Sequence, residues 1–92
     1  TVIASPKERI AISTFGHPGM ATAGTGDVLA GLLGAWLATS TDPFISSSAA
    51  VGMHGITGEI AGNEKGVGMI ASDLVESLPT SRQKLHMIGF AR

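Results

Sequence analysis

Ninety-two residues at 43% apolar and 14% charged content make a well-buried globular chain of one small domain and exclude a disordered one. A formal charge of −1 leaves no electrostatic footprint for nucleic acid or an anionic membrane, and the lack of cysteine excludes disulfides, thiolate metal sites and cysteine nucleophiles. The longest apolar run, Val28 to Ala38, is too short to span a bilayer and no targeting segment is visible, so a cytoplasmic protein is expected.

Thr1 to Ala4 and Arg9 to Ser13 are β-prone runs separated by Ser5-Pro6-Lys7-Glu8, which predicts a β-hairpin over residues 1–13. Two strands alone are marginal in water. The chain is therefore expected to be the C-terminal part of a larger α/β domain whose remaining part supplies the central strands. A small α+β protein that dimerises to complete its sheet is the alternative. Residues 14–25 form a loop rich in glycine and small residues. A first helix is predicted from Gly26 to Ala38, apolar almost all round and so buried on most sides. Gly31 and Gly34 within it lower helix propensity by about 1 kcal/mol each, which predicts neighbours close to the backbone there. Thr39 to Pro43 stops that helix, and Asp42-Pro43 offers a start for the next. The second helix, Pro43 to Ala61, places Ile45, Ala49, Met53, Ile56 and Ile60 on one face, with Ser46, Ser47 and Glu59 elsewhere. Gly62 to Gly66 reads as a surface turn. A third helix, Ser72 to Leu78, is expected to begin at a Ser72/Asp73 cap and to end before Pro79, closing a helical part over 26–79. The tail, 80–92, carries weak signals for either strand or helix. No internal repeat or low-complexity tract is present.

Gly24-Thr25-Gly26-Asp27 is the most informative feature of the chain. A glycine-rich turn feeding a helix aims free backbone N–H groups at one point, and the helix dipole favours negative charge there. A carboxylate beside an anion site points to chemistry on a phosphorylated group. The turn is not a Walker A loop, because no lysine follows the last glycine, and it lacks the third glycine of a dinucleotide fingerprint. On spacing alone a purely structural turn, with Asp27 as a dipole partner, remains the alternative.

Three segments together resemble one family: HPGMATAGTGDVLAG at 17–31, the His54-Gly55 helix, and GMIASDLVESLP at 68–79. They look like the C-terminal part of the ADP- or ATP-dependent NAD(P)H-hydrate dehydratases, which belong to the ribokinase-like superfamily of three-layer α/β/α domains. The family usually has Asn where His17 stands. The resemblance implies repair of hydrated NADH or NADPH by phosphoryl transfer from ADP or ATP to the substrate hydroxyl, followed by elimination of phosphate. It implies backbone donors from Gly24, Thr25 and Gly26 as an anion hole, with Gly26 also bordering the nucleotide phosphates. Asp27 would lie against the substrate hydroxyl as catalytic base. Mg²⁺ would bridge the donor phosphates, with no ligand identifiable in this chain. A dinucleotide substrate, no nucleic acid or membrane partner, and a homo-oligomer or a need for the missing N-terminal part complete the expectation. Phosphoryl transfer needs mainly positioning and electrostatic stabilisation, and backbone donors aimed at the moving group supply both.

The rival readings are a thiazole or hydroxymethylpyrimidine kinase of the same superfamily, and a non-catalytic fragment acting as a folding or assembly module. Among the remaining polar residues, His54 is expected as a packing histidine, with a contact to the adenine side of the nucleotide as its functional alternative. His17 is expected as a solvent-facing loop residue. Asp73 and Glu76 read as cap and helix surface, Met20, Met53 and Met69 as core fillers, and Thr22 as a shaper of the loop.

Overall fold

The computed structural model of the chain describes residues 1–7, 9–39 and 41–87, with Met87 described by its backbone alone. Strands β1 (Val2–Ala4) and β2 (Ile10–Ile12) are followed by helices α1 (Thr25–Leu37), α2 (Pro43–Lys65) and α3 (Ala71–Met87), with 3-10 turns at Pro18–Met20 and Gly66–Gly68. The observed order, an antiparallel hairpin and then three helices, is the one expected from the sequence, and the expectations for Glu8, Ser40 and residues 88–92 lie outside the described residues.

The strands pair with Val2 opposite Ile12, Ile3 opposite Ala11 and Ala4 opposite Ile10. Alternation turns half-buried Ile3 and Ala11 inward, while Val2, Ile10 and Ile12 on the other face are 64% to 69% exposed. One ion pair ties the hairpin to α2. The Arg9 guanidinium donates to both carboxylate oxygens of Asp42, at 2.9 and 3.0 Å, and lies over the Phe44 ring at 4.6 Å. Asp42 also caps α2, accepting from the N–H groups of Phe44 and Ile45.

The Arg9 hydrogen bond, foremost, holds the Asp42 carboxyl below its usual range; partial desolvation opposes this, and the α2 amides and the Arg9 charge add to the lowering. A carboxyl depressed in the folded state contributes stability that is complete above its unfolded value, about 3.9, and is lost as pH falls through the folded value. Asp42→Asn keeps a capping side chain and removes the charge. Below about pH 4 its stability is expected to fall less steeply than that of the parent chain, measured by urea denaturation across pH. Identical acid slopes would remove the pair as a contributor.

Helix α2 is the hub, with buried residues on nearly every side. Met53 and Ile56 of α2 join Leu85 of α3 in one apolar cluster, against which Leu32, Trp36, Ile60 and Leu78 pack. Ala61, Met69 and Leu74 form a second, flanked by Met20 and Val28. The Met53 carbonyl accepts from two fully buried hydroxyls, Thr57 Oγ1 at 2.6 Å within α2 and Ser81 Oγ at 3.2 Å from α3. That second bond crosses the helix interface and leaves neither hydroxyl unsatisfied, as burial requires.

Several expectations are corrected. Helix α1 begins at Thr25, and Thr25 is its one buried residue; Leu29 and Leu33 are half-buried and Leu37 is exposed. Nothing approaches Gly31 or Gly34, and both are exposed. On α2 Ile45 is exposed and Ser46 buried, since a helix covered almost all round has no single apolar face. It also continues through Gly62 to Lys65 and ends at Gly66, whose φ of 71° is a left-handed-side value that favours glycine. Pro79 lies inside α3 rather than after it. Leu74, Leu78, Ser81 and Leu85 make one stripe at spacings of four and three that presses both halves of α3 onto the core. The hydrogen bond that Pro79 cannot donate would have gone to Val75, on the exposed side of the helix. Helix α3 begins at Ala71, before the expected Ser72/Asp73 cap, so Asp73 stands inside its first turn and its carboxylate reaches back to accept from the Ile70 N–H at 2.8 Å.

Candidate active site

Glycines 55, 58 and 62 recur on one face of α2 at spacings of three and four, and residues 15–20 lie along the groove they make. A Cβ at Gly55 would meet the Phe15 Cβ at 2.6 Å and the Phe15 carbonyl oxygen at 2.9 Å. One at Gly58 would fall on the Met20 thioether, and one at Gly62 on the His17 ring. His17 is thus half-buried rather than solvent-facing. Its Nδ1 accepts from the Gly19 N–H at 3.0 Å, which settles the 3-10 turn. The Glu59 carboxylate, also on α2, accepts from the Gly16 N–H at 3.0 Å. Buried Gly19 closes the loop from above, where a Cβ would meet Met69 at 2.8 Å and the Gly66 carbonyl at 2.9 Å.

The loop delivers the chain to the start of α1. Gly24 turns it there with φ 90°, the left-handed conformation that only glycine adopts without strain. The buried Thr25 hydroxyl sits between the Met20 carbonyl at 2.9 Å and the Thr22 carbonyl at 3.1 Å, fastening the loop to the helix. Thr22 therefore shapes the loop through its backbone. The N–H groups of Asp27 and Val28 both donate to the Gly24 carbonyl, at 3.1 and 3.2 Å. Those of Gly24, Thr25 and Gly26 have no acceptor among the described residues.

Thr25 and Gly26 border a cleft of about 300 Å³ with Phe15, His17, Met20 and His54 among its walls. His54 is half-buried, and its Nε2 donates to the Thr25 carbonyl at 2.9 Å, so it is not a packing histidine alone. Asp27, one residue beyond Gly26, is exposed in the first turn of α1 and lies outside the cleft lining, and its carboxylate makes no hydrogen bond among the described residues. Gly26 has open space around the position of a Cβ, so packing gives no reason for glycine there. Among the described residues no group of three or more His, Asp or Glu side chains is arranged to hold a metal ion, and no ligand of Mg²⁺ is assigned.

The sequence reading brought Gly24, Thr25, Gly26 and Asp27 to one turn and missed the support beneath it: Phe15, Gly16, Glu59 and the His54 hydrogen bond. The signal for that support was present in the small-residue spacing of Gly55, Gly58 and Gly62, which marks a helix face open to close approach.

A family profile described as NAD(P)H-hydrate dehydratase matches residues 1–80. The chain is 42% identical over 71 residues to the bifunctional NAD(P)H-hydrate repair enzyme of Pyrobaculum aerophilum, covering 77% of this chain and 14% of that protein. It is 31% identical over 87 residues to the ADP-dependent (S)-NAD(P)H-hydrate dehydratase of Neisseria meningitidis, covering 92% of this chain and 29% of the relative. Against the enzyme of the same description from Cenarchaeum symbiosum it is 38% identical over 80 residues, or 87% of this chain and 28% of the relative. The chain thus spans less than a third of the length of each of these relatives. No solved structure gives a significant match. No helix among the described residues is long and apolar enough to cross a membrane.

Proposed function

We propose, from the fact that this chain belongs to the NAD(P)H-hydrate dehydratase family, that the complete protein repairs hydrated NADH and NADPH. In this reading the substrate hydroxyl oxygen attacks the terminal phosphorus of the nucleotide, the bond from that phosphorus to its bridging oxygen breaks to release the shortened nucleotide (AMP from ADP), and the hydroxyl proton passes to Asp27. Loss of phosphate from one ring carbon and of a proton from its neighbour then restores the nicotinamide double bond. ADP is the proposed donor, because two of the relatives are named as ADP-dependent. Mg²⁺ would arrive with the nucleotide and neutralise its phosphates; no residue of this chain is assigned to it.

One observation carries the reading. The start of α1 presents three backbone N–H groups without acceptors, at Gly24, Thr25 and Gly26, and the next residue is a carboxylate with no structural partner among the described residues. Donors fixed before the reaction and aimed at a developing negative charge are what a transferring phosphoryl group requires. A free carboxylate one residue away supports Asp27 as the base, and the open space over Gly26 supports a phosphate there. A cytoplasmic location belongs to the same proposal, since a sequence without cysteine fits a reducing compartment.

The test is direct. The complete protein, given hydrated NADH, Mg²⁺ and either ADP or ATP, is expected to regenerate the absorbance of reduced nicotinamide, faster with ADP. No recovery with either nucleotide would overturn the reading.

A further inference from the structure

We propose that His54 is a positioning residue for the anion site: its Nε2–H, 2.9 Å from the Thr25 carbonyl oxygen, holds and polarises the peptide unit that presents the Gly26 N–H. This deepens the proposed function and rests on it for its kinetic readout.

The argument starts from the planarity of the peptide bond. The Thr25 carbonyl and the Gly26 N–H are opposite ends of one rigid trans unit, so fixing one end aims the other. The unit most in need of fixing is this one. Gly26 has no side chain and nothing packs around it, so no steric contact restrains the peptide from its glycine side. From the threonine side the restraints are the hydroxyl that bonds the Met20 and Thr22 carbonyls and the helix bond that the Thr25 carbonyl accepts from the Leu29 N–H. His54 adds a further restraint on the same oxygen's second lone pair, from a different element.

That element is rigid. His54 lies between Met53 and Gly55, both buried, in the helix that forms the centre of the core. The ring itself is half-buried, bordering the same cleft as Thr25 and Gly26. A carbonyl oxygen only accepts, so the facing nitrogen carries the proton; the tautomer protonated on Nδ1 would set two lone pairs against each other. A hydrogen bond received at the carbonyl also draws electron density through the amide and makes its N–H a stronger donor. Aim and donor strength at Gly26 therefore both depend on an imidazole that need not touch the substrate.

The experiment uses the complete protein with hydrated NADH and ADP. His54→Phe keeps a ring without the donor, His54→Asn is polar but too short to reach the carbonyl, and His54→Gln carries an amide N–H at nearly the reach of Nε2. The Phe and Asn variants are expected to lose about 10- to 100-fold in kcat with KM for both substrates within about threefold, and Gln to restore most of the loss. Parent-level kcat in a folded Phe or Asn variant, or a Gln variant no better than these, would overturn the proposal. The second readout needs no turnover. In ¹⁵N-labelled protein titrated with inorganic phosphate, the Gly26 amide resonance is expected to shift strongly in the parent and the Gln variant and weakly in the others. An equal response in all variants would overturn the role of His54. A parent that responds to phosphate but never dehydrates the substrate would instead overturn the function proposed above.

Discussion

Asp27→Asn is expected to lower kcat for dehydration of hydrated NADH by a factor of about 10² to 10⁴, the range over which a positioned general base contributes. The substitution keeps shape and an acceptor oxygen and removes only basicity. The Asp27 side chain is exposed and makes no hydrogen bond among the described residues, so the fold does not depend on its carboxylate. Its structural contribution is the attraction of a charge to the start of α1, and the stability change should stay within about 1 kcal/mol. Kinetics of the complete protein, paired with urea denaturation of the same preparations, separates the two effects. A variant with near-normal turnover would remove Asp27 as the base and leave only the anion site. A variant that lost stability and activity together would point to a structural role that its exposure does not support.

The second large effect is a difference in sign between two glycines three residues apart on α2. Gly55→Ala is expected to destabilise by about 1–3 kcal/mol, the range for overfilling a packed site. The new methyl would lie 2.6 Å from the Phe15 Cβ and 2.9 Å from its carbonyl oxygen. A backbone atom cannot swing aside as the end of a side chain does, so the loop itself must lift. Gly16 would then leave its bond to Glu59, and the wall of the cleft would move with it. Nucleotide affinity should fall as well. Gly52→Ala meets nothing within 4 Å and lies in the interior of the same helix. It is expected to stabilise by about 0.5–1 kcal/mol, because alanine loses less backbone entropy on folding. Urea denaturation of both variants is the measurement, and a shift of the same sign in the two would dissolve the groove.

These two glycines show where local sequence rules stop. Gly62 looked like the end of a helix, because glycine followed by polar residues usually marks one. The structure uses it as a place for the His17 ring to lie against α2, and the helix passes through to Gly66. Pro79 looked like a terminator for the same kind of reason. A helix interior disfavours proline by about 3 kcal/mol, but Leu74, Ser81 and Leu85 are fully buried on both sides of it and hold the two halves in line. In both cases a propensity of a few kcal/mol met a packing contribution that only the folded chain expresses. The apolar all-round pattern of α1 misled in the opposite direction. Residues able to be buried are not thereby covered, and α1 has α2 and α3 on one side only among the described elements.

The turn at the start of α1 was legible because its determinants are local. Gly24 is needed for a left-handed φ, Gly26 stands where nothing packs, and Asp27 is the next residue, so a window of four residues carries the donors and the carboxylate together. The hairpin, likewise, follows from two short β-prone runs and a turn. The sequence by itself therefore determined the order of the elements, the glycine-rich turn that opens α1 and the family. Only the tertiary structure decided what holds that turn in place: Gly55, Gly58 and Gly62 receiving the loop, Glu59 bonding Gly16, and His54 reaching the Thr25 carbonyl from 29 residues away. Those contacts join segments far apart in the chain, and their partners meet only once α2 is packed at the centre of the core.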